Sequence, residues 1–401
     1  MTSASWRRGN DISEEKREWF RQKSIASASR KRRLTSLKPS EEPLRESRLD
    51  IEKLMPTLSP SSIDSISLFS GCGGLDIGFE RAGFDHVLSV DILDICGETL
   101  KFNRPSWKVL SGEKKGDVRN IDWKKEVPNK DNLLVIHGGP PCQPFSNSGR
   151  QLGEEDSRNM VPEFFRSVNE LLPDAFIMEN VPALGSAKFS PYLDSELKRN
   201  VSHSYFYKKF YMFAPNFGVP QQRNRLFIVG FKSEAAFNRF IIPKPTHSLD
   251  NFVDIHKGLK KHIKEAKLHV DYDQLPPVSG VRESIGLDDS KPDGLAPTFR
   301  SGFTGPRNST SILNGSSSQK VLKNMGIWGN GVAPSKEAAR AFPPENGTMR
   351  LSTDDVSLIQ GFPSSWQIKG PVYKNIGQVG NSVAPPVAYQ VAIAVRKALL
   401  K

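Results

Sequence analysis

The chain has 401 residues, 37% of them hydrophobic and 25% charged, which supplies a substantial core and excludes wholesale disorder. No run approaches the roughly 20 apolar residues that span a bilayer, and the opening MTSASWRRGN has no apolar leader segment, so a secretory signal is not expected. The cysteines are Cys72, Cys96 and Cys142, too few for a disulfide framework, while the net charge of +12 favours an anionic partner, nucleic acid first.

Residues 1–62 read as a basic arm around Arg30-Lys31-Arg32-Arg33, with a helix expected over Ser13 to Ala28. From Asp64 the rhythm becomes strand, glycine turn, helix. Ser65–Phe69 reads as a buried strand, Gly71–Gly74 as a tight turn and Leu75–Ala82 as a helix. His86–Val90 is the next strand, Ile92–Phe102 the next helix, and Leu133–His137 and Ala175–Met178 are further short apolar runs. This alternation predicts an α/β fold, a doubly wound and mostly parallel sheet whose ligands bind beyond the carboxyl ends of the strands.

After Leu226–Phe231 the rhythm stops. Residues 232–349 are rich in Gly, Ser, Pro and Asn and read as a smaller, loop-rich domain. Order returns at Arg350, and Pro386–Leu399 reads as a terminal helix with one apolar face. The expected organisation is an arm over 1–62, a catalytic and cofactor domain over 63–231, a recognition domain over 232–349, and a segment over 350–401 that returns to complete the first.

Four motifs carry chemistry. In Phe69-Ser70-Gly71-Cys72-Gly73-Gly74 the glycines let a ligand approach the backbone at a helix N-terminus. Asp76 stands where a dinucleotide fold has its third glycine, which weakens the case for a pyrophosphate. Asp91, at the end of the second strand, suits a ribose diol. Together they suit a nucleoside cofactor without a diphosphate, of which S-adenosylmethionine is the common example. The second motif, Gly138-Gly139-Pro140-Pro141-Cys142-Gln143, is a stiff loop presenting one thiol. At an unperturbed pKa of about 8.5 that thiol needs a nearby cation or a base to act as a nucleophile. Cys96 reads instead as a small buried hydrophobe. Third, Glu179 in Met178-Glu179-Asn180-Val181 ends an apolar run, where partial burial raises a carboxyl pKa towards the working pH; a helix N-cap or a surface acid is the plainer use, and Asn180 would serve equally well as a cap. Fourth, Arg223 and Arg225 in Gln221-Gln222-Arg223-Asn224-Arg225 lie two apart on an extended segment and face the same way. That arrangement suits a phosphate or a carbonyl oxygen, or a mere surface pair.

In their order and spacing these blocks, with Gln360-Gly361-Phe362-Pro363 and Gly380-Asn381-Ser382-Val383, resemble the bacterial-type DNA (cytosine-5)-methyltransferases. The resemblance covers about residues 63–231 and 350–400. It implies a base-flipping enzyme that transfers a methyl group from S-adenosylmethionine to C5 of cytosine in a specific duplex sequence. Cys142 would add to C6, Glu179 would hold the base edge and protonate N3, and Arg225 would hold O2 with Arg223 behind it. Phe69, Gly71, Gly73, Gly74, Asp91 and Asp117 would form the cofactor site, closed from the C-terminal side by Asn381 and Ser382. Gln143 to Arg158 would be a loop closing over DNA, with Ser146, Arg150 and Arg158 as its contacts. Asn159 departs from the glycine that often follows the arginine in this family. Arg300 and Arg307 offer base or phosphate contacts from the recognition region. No Cys/His cluster has metal-ligand spacing, so no metal is expected. The implied setting is a monomer in the bacterial cytoplasm, at the nucleoid while acting, with duplex DNA as partner and no membrane. A restriction endonuclease would accompany it without a stable complex. The alternatives are a tRNA cytosine-5 methyltransferase, whose Cys-Phe-Thr is here Gly302-Phe303-Thr304, and a catalytically silent DNA-binding protein.

Overall fold

The computed structural model describes residues 47–127, 132–141, 159–287, 289–299, 311–313, 316–341 and 348–400, with scattered positions from 14 to 29 that are helical. The chain divides into two compact units. One comprises residues 50–279, 360–369 and 382–401; the other comprises residues 1–49, 280–359 and 370–381. Residues 232–279, read from sequence as the start of the recognition region, fall with the first unit.

The first unit is built on a seven-stranded sheet. Its strands are β1 (Ile63–Leu68), β2 (Asp85–Asp91), β3 (Val109–Ser111), β4 (Leu133–Gly138), β5 (Ala175–Asn180), β6 (Phe206–Phe213) and β8 (Asn224–Phe231); β7 is the short segment Gln221–Gln222. The order is β3-β2-β1-β4-β5-β8-β6. The pairs β1–β2, β1–β4, β2–β3 and β4–β5 are parallel, and β8 runs antiparallel to both neighbours. Helices Gly74–Arg81, Asp94–Asn103 and Val161–Leu171 make the crossovers that the parallel pairs β1–β2, β2–β3 and β4–β5 demand, and Ser190–Asn200 leads from β5 to β6. The order reverses between β1 and β4, so a crevice opens at their carboxyl ends. Beside β5 the reverse holds. A short connection returns the chain from β6 as an antiparallel strand, which puts the start of β8 against the end of β5, with Asn180 opposite Leu226 and Glu179 opposite Phe227.

The central strands β1, β4 and β5 read as apolar runs because both faces are covered. Phe164 and Phe165, from helix Val161–Leu171, meet Phe176 of β5 edge to face at 6.2 and 5.9 Å, and Tyr205 closes the cluster at 5.3 Å from Phe176. Each of the three buried phenylalanines contributes roughly 1.5–3 kcal/mol through burial. The terminal helix Pro385–Leu399 packs on helix Gly74–Arg81. A Cβ on Gly78 would stand 2.6 Å from Ala388 Cβ, so the two backbones approach as only glycine permits.

Residues 50–62, expected as the end of the basic arm, are part of this unit. Ile51 and Met55 are buried, Tyr389 Oη donates to the Pro56 carbonyl, and the backbone N–H groups of Leu58 and Ser61 donate to Arg81 and Gly83.

In the second unit the strands are short. β9 is Ala296–Pro297, and β10 (Ile327–Ala333) pairs in parallel with β11 (Met349–Ser352). Asp293 fastens the turn before them by accepting from the backbone N–H groups of Arg282 (2.7 Å) and Glu283 (2.9 Å). Among the described residues no helix is long and apolar enough to cross a membrane.

Candidate active site

The crevice beyond β1 is shaped by the glycine turn. Gly71 and Gly73 take positive φ angles of 57° and 90°, which lets the chain turn from β1 into helix Gly74–Arg81 within the five residues 69–73. Phe69 also has a positive φ, 55°, a conformation uncommon for a bulky side chain. Asp91 fixes this geometry: one carboxylate oxygen accepts from Gly71 N–H at 2.8 Å and the other from Leu93 N–H at 2.8 Å. Burial raises its pKa, and those amide bonds pull the other way. A carboxylate has about four acceptor sites, so Asp91 retains capacity for hydroxyl donors. Asp117 lies one turn beyond β3. Its oxygens are engaged by Arg119, with Nη2 at 2.5 Å and Nε at 2.9 Å, and this guanidinium holds the carboxyl below its usual range. The sequence reading missed that partner, although Arg119 stands only two residues on.

Ser382 reaches the same turn. Its Oγ lies 3.1 Å from Cys72 Sγ, and a Cβ on Gly74 would stand 2.5 Å from the Val383 carbonyl. Cys72 is wholly buried, which pushes its thiol up to about 12 and leaves it inert. Asn381 is the last residue of helix Val372–Asn381, immediately before Ser382. At Gly71 the space is open: among the described residues a Cβ there would meet only Ser382 Oγ, at 3.8 Å. Open backbone flanked by Asp91 and Asp117 fits a nucleoside carrying hydroxyl and amino donors. Among the described residues no three His, Cys, Asp or Glu side chains are grouped to hold a metal ion.

Beyond β4 and β5 lies a second cluster. Glu179 is 7% exposed, and Arg225 at the start of β8 donates to it through Nε at 2.9 Å. Burial raises the Glu179 pKa; Arg225 first and Arg223 second oppose the rise. The spacing suggested a phosphate or a carbonyl oxygen as the shared partner; the structure instead sends Arg225 to the Glu179 carboxyl and Arg223 to the Ser382 carbonyl. Gly139 faces Glu179 so closely that a Cβ would stand 2.8 Å from Oε2. Asn180, which sequence allowed as a cap, bridges the strands: its Nδ2 donates to the Pro140 carbonyl at 3.1 Å, and its Oδ1 accepts from Val181 N–H at 2.9 Å. Pro140 and Pro141 lead directly to Cys142. Cys142 itself lies outside the described residues, as do Ser146, Arg150, Arg158, Arg300 and Arg307.

Arg223 is 1% exposed and donates to the Ser382 carbonyl, which also accepts from Gln360 Nε2 at 2.7 Å. Gln360 was visible in its motif, but nothing in the sequence assigned it this acceptor. The only signal was a carboxamide ending the apolar run Val356 to Ile359.

Residues 63–397 match the family model described as C-5 cytosine-specific DNA methylase. The chain belongs to that family. It is thus an S-adenosylmethionine-dependent DNA (cytosine-5)-methyltransferase, as its motifs implied. Among curated relatives it is 30% identical over 341 residues to the type II methyltransferase M.NgoMIV of Neisseria gonorrhoeae, covering 84% of this chain and 98% of that protein. It is also 30% identical over 356 residues to M.PspPI of Psychrobacter, covering 85% and 79%. A candidate DNA modification methyltransferase encoded within an E. coli prophage shares the fold, with a TM-score of 0.55 at 23% identity over 85% of this methylase and all of that chain.

Proposed function

We propose that this methyltransferase extrudes one cytosine of a specific duplex sequence and methylates it through a covalent adduct with Cys142, serving as the modification half of a type II restriction–modification system. The observation that carries the proposal is the Glu179–Arg225 pair, buried at the end of β5 and tied through Asn180 and Pro140 to the loop that bears the thiol. Extrusion costs a few kcal/mol, offset by hydrogen bonds and stacking in the pocket.

Cys142 gives up its proton to solvent, and the thiolate sulfur bonds to C6 of the base. The C5–C6 π electrons move towards C5 as N3 takes a proton from Glu179 in its acid form. Burial favours that acid form, so the donor survives to higher pH than an exposed glutamate would. Arg225 orients the carboxyl and offers its remaining N–H groups to O2. Gly71, Asp91, Asp117 and Ser382 would hold S-adenosylmethionine, with Phe69 to stack on its adenine, and the bound sulfonium would supply the electrophilic methyl group for C5, leaving as S-adenosylhomocysteine. Loss of the C5 proton to a base then expels Cys142 as a thiolate, and N3 returns its proton to Glu179, which restores the neutral aromatic ring and the acid. Without the thiol an aromatic carbon would have to attack unassisted.

The restriction–modification role rests on the curated relatives, which are type II methyltransferases. A monomer acting at the nucleoid fits that role. The decisive experiment offers tritiated S-adenosylmethionine with duplex DNA and bulk tRNA to wild type and Cys142→Ser, then locates labelled bases by bisulfite sequencing. Label in DNA that vanishes in Cys142→Ser supports the proposal and reveals the target sequence. Label in tRNA alone, or none in either substrate, overturns it.

A further inference from the structure

The carbonyl of Ser382 is a junction. It accepts from the Arg223 guanidinium and from Gln360 Nε2, and both donors are buried to within 1%. On one side of this residue its hydroxyl lies against Cys72 Sγ, and the following Val383 carbonyl fills the space at Gly74, so residues 382–383 brace the glycine turn. The Trp366 indole N–H adds a third brace by donating to the Cys72 carbonyl at 2.9 Å. On the other side Arg223 stands two residues before Arg225, whose guanidinium holds Glu179.

Gln360 is an expensive way to fill its site. Its Oε1 is buried with no partner among the described residues, and an unmet buried acceptor costs stability that an apolar side chain of the same length would not. Packing alone therefore gives no reason for a glutamine. The hydrogen bond from Nε2 does.

We infer that Gln360 is a positioning residue: with Arg223 it clamps the Ser382 carbonyl, and the clamp ties the glycine turn of the methyl-donor site to the Glu179–Arg225 pair. The inference rests on the methyltransferase reading above. With the clamp intact, the turn is set for the donor and β8 is held in the register that aims Arg225. With one donor removed, the carbonyl is satisfied by Arg223 alone and shifts towards it, loosening Ser382 and Val383 on the turn.

The test is calorimetric binding of S-adenosylhomocysteine to the full-length protein, beside thermal melting, for wild type and Gln360→Met. The variant is expected to melt no lower than wild type while binding about tenfold more weakly, the size of one lost hydrogen bond. Its kcat at saturating S-adenosylmethionine should fall as well. Gln360→Asn, which withdraws the amide by one methylene, is the second variant and should lose affinity to the same degree. Affinity within twofold of wild type in both variants overturns the clamp. An unchanged kcat at saturation overturns its link to Glu179. Wild-type protein that takes up no S-adenosylhomocysteine overturns the methyltransferase reading instead, so the two failures are distinct.

Discussion

Gly139 and Glu179 stand on adjacent strand ends with no room between them: a methyl group on the first would lie 2.8 Å from Oε2 of the second. The atom in the way is the tip of a side chain rather than backbone, so the carboxyl would move and the strands would stay. Gly139→Ala is therefore expected to change the melting temperature little and to lower kcat about 100-fold, as misplacing a catalytic group by about 1 Å does. Methyl transfer and a melting curve on the same preparation check it; full activity would show that the carboxyl position is not critical.

Glu179→Gln keeps the shape and removes both the proton and the charge facing Arg225. A loss of 10²- to 10⁴-fold in kcat is expected, the range for a positioned general acid. The wild-type pH profile carries a sign. Burial lifts the Glu179 pKa above its ordinary 4.5, so the acid form is available below the lifted value and activity falls as pH rises through it. The stability this group contributes is likewise complete below 4.5 and lost as pH rises through the lifted value. Glu179→Gln should lose the alkaline limb; a profile of the same shape at reduced height would assign that limb to another group.

Asp76, noted in the sequence only for not being glycine, lies in a buried polar chain beneath the turn. Ser67 Oγ donates to one of its oxygens at 3.1 Å and Ser89 Oγ to the other at 2.7 Å, while His86 Nε2 lies 2.8 Å from Ser89 Oγ. Burial outweighs the two hydroxyls and raises this carboxyl from 3.8 to about 6. Its stabilising contribution is present below pH 3.8 and lost as pH rises through about 6, a change on the order of 3 kcal/mol. Urea titrations should show the stability difference between wild type and Asp76→Asn shrinking by that amount from pH 4 to pH 7. A difference that stays constant would mean the carboxyl is already ionised at the acid end.

Deletion of residues 1–46 should leave the melting temperature nearly unchanged, whereas deletion of 1–62 removes the buried Ile51 and Met55 and the backbone bonds to residues 81 and 83. The longer deletion is expected to cost 4 kcal/mol or more, at roughly 2–5 for each large buried aliphatic side chain removed. The shorter one should weaken DNA binding with a shallower dependence on log salt, because it removes Arg30 to Arg33 and their counterion release. Equal salt slopes for the two proteins would exclude the arm from the DNA interface.

The parallel strands β1, β2, β4 and β5 were legible because each is an apolar run ending in glycine or a polar residue, a pattern that survives without tertiary information, whereas the three-residue β3 is too short to show one. β6 was not: Phe206-Tyr207-Lys208-Lys209-Phe210-Tyr211 mixes exposed aromatics with lysines, as the edge of a sheet allows and a central strand does not. Glu179, Arg223 and Arg225 were legible as chemistry, but their pairing was not, since it depends on β8 running antiparallel to β5. Gly139 gave no sign of guarding a carboxyl, because space denied to a side chain leaves no mark in a single sequence. Residues 50–62 were grouped with the basic arm on charge and Pro/Ser content, because their partners at Tyr389 and Arg81 lie far along the chain and leave no local mark.

The antiparallel run of β8 has a thermodynamic consequence. Glu179 and Arg225 project from neighbouring strands of the sheet, so their separation is set by strand pairing, and the amide bonds of core strands are typically among the last to exchange with solvent. A slip of one residue would turn either side chain to the opposite face. The acid and its orienting cation therefore have no local route to disorder, and this part of the pocket should come apart only when the whole sheet does. Heat inactivation through this pair and heat unfolding of the α/β unit then become one event, with one transition temperature.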